Sequence, residues 1–173
     1  METVALHADL WSISRLFSYP DAQMVSAPLP EGVGAEAVAL LEEINGVDTI
    51  PVENEYVRLF INAMPEVPCA PYGSVYLEGS VMGESTLKIA TIYRKYGIEP
   101  AELADHIAVE SEFLAWLHGR ATVDTEARKD FDYLLNHLRK WSDSFFAQVA
   151  VHDQIGCYRR ASELARALLL KMA

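Results

Sequence analysis

Asp105 and His106 are neighbours in the stretch GIEPAELADHIAVESEFLAWLHG, Gly97 to Gly119. Acids recur along it at Glu99, Glu102, Asp105, Glu110 and Glu112, and no Lys or Arg stands between Lys95 and Arg120. An adjacent carboxylate and imidazole can work as an acid–base pair, ligate a metal, cap a helix, or belong to a surface that receives a cation. Catalysis requires the acid to orient the imidazole and the imidazole to reach a nucleophile. Neighbours in sequence at a helix start point in different directions, and Ser111, the hydroxyl on the same helix, lies in no nucleophile elbow. Metal binding requires more ligands. The five histidines (His7, His106, His118, His137, His152) form no i, i+3 or i, i+4 pair, no H-E-x-x-H or Cys/His cluster exists, and His106 with Glu110 one turn later supplies two ligands. GSVMGEST, Gly79 to Thr86, has the glycines of a phosphate loop without its Lys and reads as a turn before a helix. Capping needs only Asp105, accepting from the backbone N–H of Ile107 or Ala108. Val109, Phe113, Trp116 and Leu117 then form the buried stripe, with His106 and Glu110 beside it and able to hydrogen-bond each other. A cap of this kind leaves the imidazole and Glu110 at the mouth of the loop, so capping and receiving are compatible.

The elements that must position this pair read as helices almost throughout. Leu6, Leu10, Ile13 and Phe17 mark one face of a first helix that SYPD ends at Pro20. A Pro/Gly-rich loop, APLPEGVG, leads to a short helix with Ala37, Leu40, Leu41 and Ile44 inward, stopped by Asn45-Gly46. Pro51 opens the next, with Val52, Tyr56, Leu59 and Phe60 on one face. Pro65, Pro68 and Pro71 then break the pattern, and NAMPEVPCAPYGSVYLEGSVMG reads as a long extended loop of the kind that carries function. Tyr72 and Tyr76 lie in or beside it, where an exposed Tyr combines apolar area with a hydrogen-bonding tip. Helicity resumes at Glu84, with Leu87, Ala90 and Ile92 or Tyr93 inward and Gly97 as the C′ residue. Phe131, Leu134, Leu135, Leu138, Trp141, Phe145 and Val149 make a stripe for one bent helix or two in series, and Tyr158, Ala161, Ala165, Leu168 and Met172 mark the last. No period-two segment argues for a sheet and no internal repeat is present. The expectation is an all-α fold: one irregular domain over 1–173, of seven or eight helices with a long Pro-rich central loop, divisible into lobes 1–100 and 101–173 about a hinge.

The chain of 173 residues carries a net charge of −11, and its charge is uneven. Residues 1–119 hold 18 acids and 5 bases, residues 120–173 hold 7 acids and 9 bases, and eight acids without a base separate Arg15 from Arg58. No nucleic-acid partner is expected, since phosphate binding needs clustered Lys and Arg; a basic partner suits the asymmetry. Cys69 and Cys157 are distant and form no C-x-x-C, as in a reduced intracellular protein. The N-terminus lacks the pattern of a signal peptide, and no apolar run is long enough for a membrane span. The chain is expected to be soluble and cytoplasmic.

Three segments in order carry a family resemblance. EYVRLFINAMPEVPCAPYGSVY has Tyr-x-x-Leu-Phe, a Pro-rich loop and Pro-Tyr-x-Ser-x-Tyr. YGIEPAELADHIAVESEFLAWL has Asp-His-Ile followed by Glu and Glu-Phe-Leu. HLRKWSDSFFAQVA…CYRRASELARALL has the His-Leu…Trp spacing and a closing Tyr-containing helix. Together with LWSISRLFSYPDAQM, they resemble the TorD/DmsD/NarJ family of redox-enzyme maturation chaperones, with Ala104 where the family commonly has Pro. The resemblance implies a non-enzymatic, all-helical cytoplasmic chaperone. It would bind the twin-arginine leader or N-terminal region of a molybdenum-containing oxidoreductase subunit and hold that enzyme until its cofactor is inserted. By motif match it implies a peptide site of Tyr56, Leu59, Phe60, Asp105, His106 and Glu110, to which the loop residues Tyr72, Ser74 and Tyr76 are added.

The leader's guanidinium groups call for carboxylates, and its apolar stretch for a groove. A base-free acidic loop beside an apolar stripe is expected to supply both. No cofactor is expected, since the sequence offers no phosphate motif for a nucleotide or molybdenum-cofactor role. The rival readings are an adaptor that docks on a folded redox subunit through Pro65–Tyr76, and a small hydrolase with His106 as base. The protein is expected to be a monomer or a dimer that exchanges segments across the central loop.

Overall fold

The computed structural model describes residues 2–21, 29–46 and 49–172. Eight α-helices are found among them: α1 (Glu2–Leu16), α2 (Ala35–Ile44), α3 (Ile50–Tyr56), α4 (Gly73–Glu78), α5 (Glu84–Lys95), α6 (Ile107–Ala121), α7 (Thr125–His152) and α8 (Cys157–Lys171). The all-α expectation holds. The only β feature among the described residues is one antiparallel bridge between Tyr72 and His106. No described helix is long and apolar enough to cross a membrane. The start of the APLPEGVG loop, residues 27 and 28, lies outside the described residues.

The centre of the fold is α6, with α1 on one side and α7 on another; α8 closes against α7 and α1, and α2 packs on α8 and α1. Residues from 1–100 and from 101–173 therefore share one hydrophobic core. The stripe read from the sequence of α7 is buried at every position, and the helix runs as one element of 28 residues. Asp124 caps it by accepting from the backbone N–H groups of Glu126 and Ala127, at 2.8 and 3.3 Å. An aromatic cluster of Phe17, Tyr56, Phe60, Phe145 and Tyr158 joins the chain just past α1 and the end of α3 to α7 and α8, with ring centroids 4.9–6.3 Å apart. Edge-to-face pairs of this kind add about 0.5–1.5 kcal/mol each beyond the area they bury.

Three expectations change. The long loop holds a helix: Gly73–Glu78 forms α4, so Ser74 and Tyr76 are helical and the extended segment ends at Tyr72. On α5 the inward residues are Thr86, Ile89 and Tyr93, whereas Leu87 is 57 % exposed. On α6 the fully buried set includes Ile107, Glu110, Ser111 and Leu114 besides Phe113 and Leu117, while Val109 and Trp116 are only partly buried. A helix flanked on two sides has no single apolar stripe to show. Gly97 does end α5, in left-handed backbone (φ 69°): its N–H meets Arg94 O and that of Ile98 meets Tyr93 O, the two bonds of a Schellman cap.

The third helix keeps Val52, Tyr56, Leu59 and Phe60 buried, but past Tyr56 it widens into a π turn, Val57–Ile61, closed by Asn62 N–H donating to Val57 O at 2.8 Å. Such turns recur at functional positions. Here the turn brings Arg58 to the α7–α8 junction. The guanidinium holds the Glu55 carboxylate with two bonds (2.6 and 2.8 Å) and donates to His152 O at 2.6 Å, while Glu55 accepts from Gln154 N–H at 2.7 Å. Burial pushes the Glu55 carboxyl up, but Arg58 and the Gln154 N–H outweigh it and hold the group below its usual range.

Candidate functional site

Pro71–Ser74 and Asp105–Ile107 lie zipped together where the central loop meets α6. Gly73 N–H donates to Asp105 O at 3.0 Å and Ile107 N–H to Pro71 O at 2.8 Å, on either side of the Tyr72–His106 bridge. The Asp105 carboxylate accepts from Ser74 N–H at 2.8 Å, so it caps α4 from across the chain. Its expected role at α6 falls to its neighbour: His106 is the N-cap of α6, and its Nδ1 accepts from Ala108 N–H at 3.1 Å. The reason is direction. With His106 in extended backbone (φ −67°, ψ 135°), its ring turns back over the helix start while Asp105 points to the other segment.

Nor does His106 bond Glu110. The partner of Glu110 is His137 of α7, Oε1 to Nδ1 at 2.7 Å. Burial pushes the Glu110 carboxyl up; His137 opposes this, the Asp105 carboxylate adds to it, and the Trp141 indole opposes it. The neutral form of His106 is favoured by burial, which lowers its pKa to about 4 against the smaller opposing pull of Glu102 and Asp105. Gly73 allows α4 to sit this close to α7: a Cβ there would lie 2.8 Å from both His137 Cε1 and Trp141 Nε1.

The expectation that Asp105, His106 and Glu110 form an open receiving surface is corrected in its geometry. Asp105 and Glu110 are fully buried and His106 is 7 % exposed. Ser74, Tyr56, Leu59 and Phe60 are buried as well, with the Tyr56 hydroxyl donating to Phe17 O at 3.1 Å. Of the nine residues, Tyr72 and Tyr76 reach solvent most. Tyr72 is half-buried with its ring 5.4 Å from the His106 ring; Tyr76 is half-buried and stacked on Trp141 at 5.7 Å. Burial and the adjacent Glu102 carboxylate push the Tyr72 hydroxyl up to about 12. Glu102 is exposed and pairs with no basic group among the described residues. Sequence reasoning passed over it as a site residue, although it belongs to the base-free run on which the reading opened. Ile61 and Met64, at the start of the loop, are exposed apolar residues. A groove between α7 and α8, floored by Phe146 and Leu169 and rimmed by Arg139, Asp143 and Arg166, is lined by none of the nine.

The hydrolase reading finds no support in this arrangement. Its proposed base is an N-cap acceptor with a depressed pKa, and the Ser111 hydroxyl is buried without a hydrogen-bond partner. Among the described residues no three His, Cys, Asp or Glu side chains are grouped to hold a metal ion.

Comparison with known proteins gives the class. Residues 26–147 match the nitrate reductase delta subunit family, and the chain belongs to that family, the maturation chaperones that its motifs resemble. The same fold is found in the crystal structure of an Archaeoglobus fulgidus protein assigned to redox enzyme maturation. The two are 31 % identical, the match covers 96 % of this chain and 93 % of that one, and the TM-score is 0.66. Curated proteins give no match.

Proposed function

We propose that the protein is a cytoplasmic, non-enzymatic chaperone that binds the twin-arginine leader or N-terminal region of a molybdenum-containing oxidoreductase subunit and holds it until cofactor insertion and assembly are complete. Membership of the family over residues 26–147 carries this reading. The site supports it with a half-exposed Tyr72 beside the exposed Glu102 carboxylate, which pairs with no basic group among the described residues, and with the exposed side chains of Ile61 and Met64. Guanidinium groups need carboxylates in forked geometry and an apolar run needs apolar surface. In this reading Tyr72, Tyr76 and His106 meet the peptide, while Ser74, Asp105, Glu110, Tyr56, Leu59 and Phe60 hold the platform from beneath.

The test is calorimetric titration of the chain with a synthetic peptide that carries two adjacent arginines followed by an apolar run. Binding that weakens as salt rises is expected, because an exposed ionic component is screened. Failure to bind while the folded client subunit is captured would replace this reading with the adaptor.

A further inference from the structure

The Lys and Arg side chains of α7 divide into two pairs. Arg128 and Lys129 are held by Asp132 and Glu126 of the same helix, whereas Arg139 and Lys140 meet no acid among the described residues. Lys140 is exposed, so water serves it. Arg139 is half-buried, and its Nη2 is shut off from solvent without an acceptor. A guanidinium keeps its charge at any working pH, and a cation that water serves only in part binds a counter-charge more strongly than one in bulk water. This position suits a carboxylate brought by another molecule.

Arg139 lines two depressions. One is the groove between α7 and α8, about 380 Å³, with Phe146 and Leu169 buried in its floor and Leu170, 71 % exposed, at its edge. The other, about 460 Å³, lies along α7 at Tyr133, Asn136 and Lys140. Asp143, the acid on the rim of the groove, is held by Arg166 at 2.5 Å, so the charge on offer is that of Arg139 and Lys140. The two depressions follow α7 from Tyr133 to Phe146, roughly 20 Å of helix axis. That length suits several turns of a third helix laid against two, with apolar side chains one and two turns apart entering between them. A bilayer takes protruding apolar side chains rather than a hollow floored by buried ones.

We infer that this strip of α7 and α8 docks an acidic amphipathic helix of a partner protein. Its apolar side chains enter at Phe146, Leu169 and Leu170, and its carboxylates pair with Arg139 and Lys140. The charge required is opposite to that of a twin-arginine leader, so the surface is distinct from the loop at Tyr72 and does not rest on the leader reading.

The probe is a synthetic helix-forming peptide with leucines at i, i+4 and i+7 flanked by glutamates, titrated into the 15N-labelled protein. A second peptide carries lysine in place of each glutamate. The acidic peptide is expected to shift amides clustered on Tyr133–Phe146 and Arg166–Leu170, and the lysine peptide to leave those amides unmoved. Arg139→Glu should weaken the acidic peptide about tenfold at an unchanged thermal midpoint and let the lysine peptide move the same amides, a reversal that a merely structural arginine would not give. Should Arg139→Glu melt early, Arg139→Gln replaces it, with an expected weakening of about fivefold. Leu170→Ser should cost about fivefold through lost apolar contact. No binding of the acidic peptide, shifts confined to other elements, or equal binding by the wild type and the Arg139 variant would each overturn the inference. Sedimentation with phosphatidylglycerol vesicles that Arg139→Glu abolishes, without binding of the acidic peptide, would overturn it in favour of a lipid surface.

Discussion

Glu110 and His137 stand 2.7 Å apart, Oε1 to Nδ1, with both side chains buried between α6 and α7. A carboxyl and an imidazole in such contact have the make-up of a catalytic dyad, and their burial makes them a brace. Together with the Asp105 cap on α4, they tie three helices beneath the loop that bears Tyr72.

Removing one partner strands the other. Glu110→Ala and His137→Ala are each expected to cost about 3–5 kcal/mol, the range for breaking a buried pair, measured by urea unfolding. The double variant should be less unstable than the sum of the two. Full additivity would show that the contact contributes no coupling.

Acid should act through His106. Its folded pKa of about 4 lies below the usual 6.5, so the native state binds fewer protons between those values. Stability from this group is present above pH 6.5 and is lost as pH falls toward 4, with a ceiling of about 3 kcal/mol. Glu110 has the opposite sign: its raised pKa lets stability fall as pH rises above 4.5. Comparing thermal midpoints of the wild type and His106→Asn at pH 7 and pH 4.5 isolates the histidine, and the variant should lose less on acidification. Equal losses would show that His106 is not the titrating group.

A methyl at position 73 has nowhere to go. Gly73→Ala is expected to destabilise by about 1–3 kcal/mol, the usual cost of overpacking, as α4 is forced away from His137 and Trp141. Calorimetric melting would check this, and a midpoint equal to the wild type would mean that α4 sits further from α7.

At the π turn, Arg58→Ala should free the α7–α8 junction, since one guanidinium serves both Glu55 and His152 O. Faster amide exchange at Gln154 is expected, with a loss of about 1–3 kcal/mol. Arg58→Lys should not restore protection, because an ammonium cannot make the forked contact.

How much of this was legible follows from how each element is buried. The seventh helix rests one face on the core, and its sequence displays that face without ambiguity. The sixth is flanked by α1 and α7, so its apolar residues do not define one stripe and Glu110 is hidden among them. The fourth is six residues long and is capped by Asp105, 31 positions away, a bond that no local pattern announces. The Glu110–His137 contact spans 27 positions for the same reason. The π turn leaves a stripe that a regular helix would also leave. Motif order gave the family, which the comparison bears out, yet most of the motif residues read as a receiving surface are buried. Chemistry was visible at Asp105–His106; its direction was not.

Both thiols are out of reach. Cys69 and Cys157 are buried, and burial pushes each up to about 12, where almost no thiolate exists at neutral pH. A maleimide dye should pass them by and react with a cysteine introduced at an open position such as Val123, 90 % exposed. Fluorophores can therefore be mounted on the native background, and the arrival and departure of a client watched in real time without first stripping sulfur from the core.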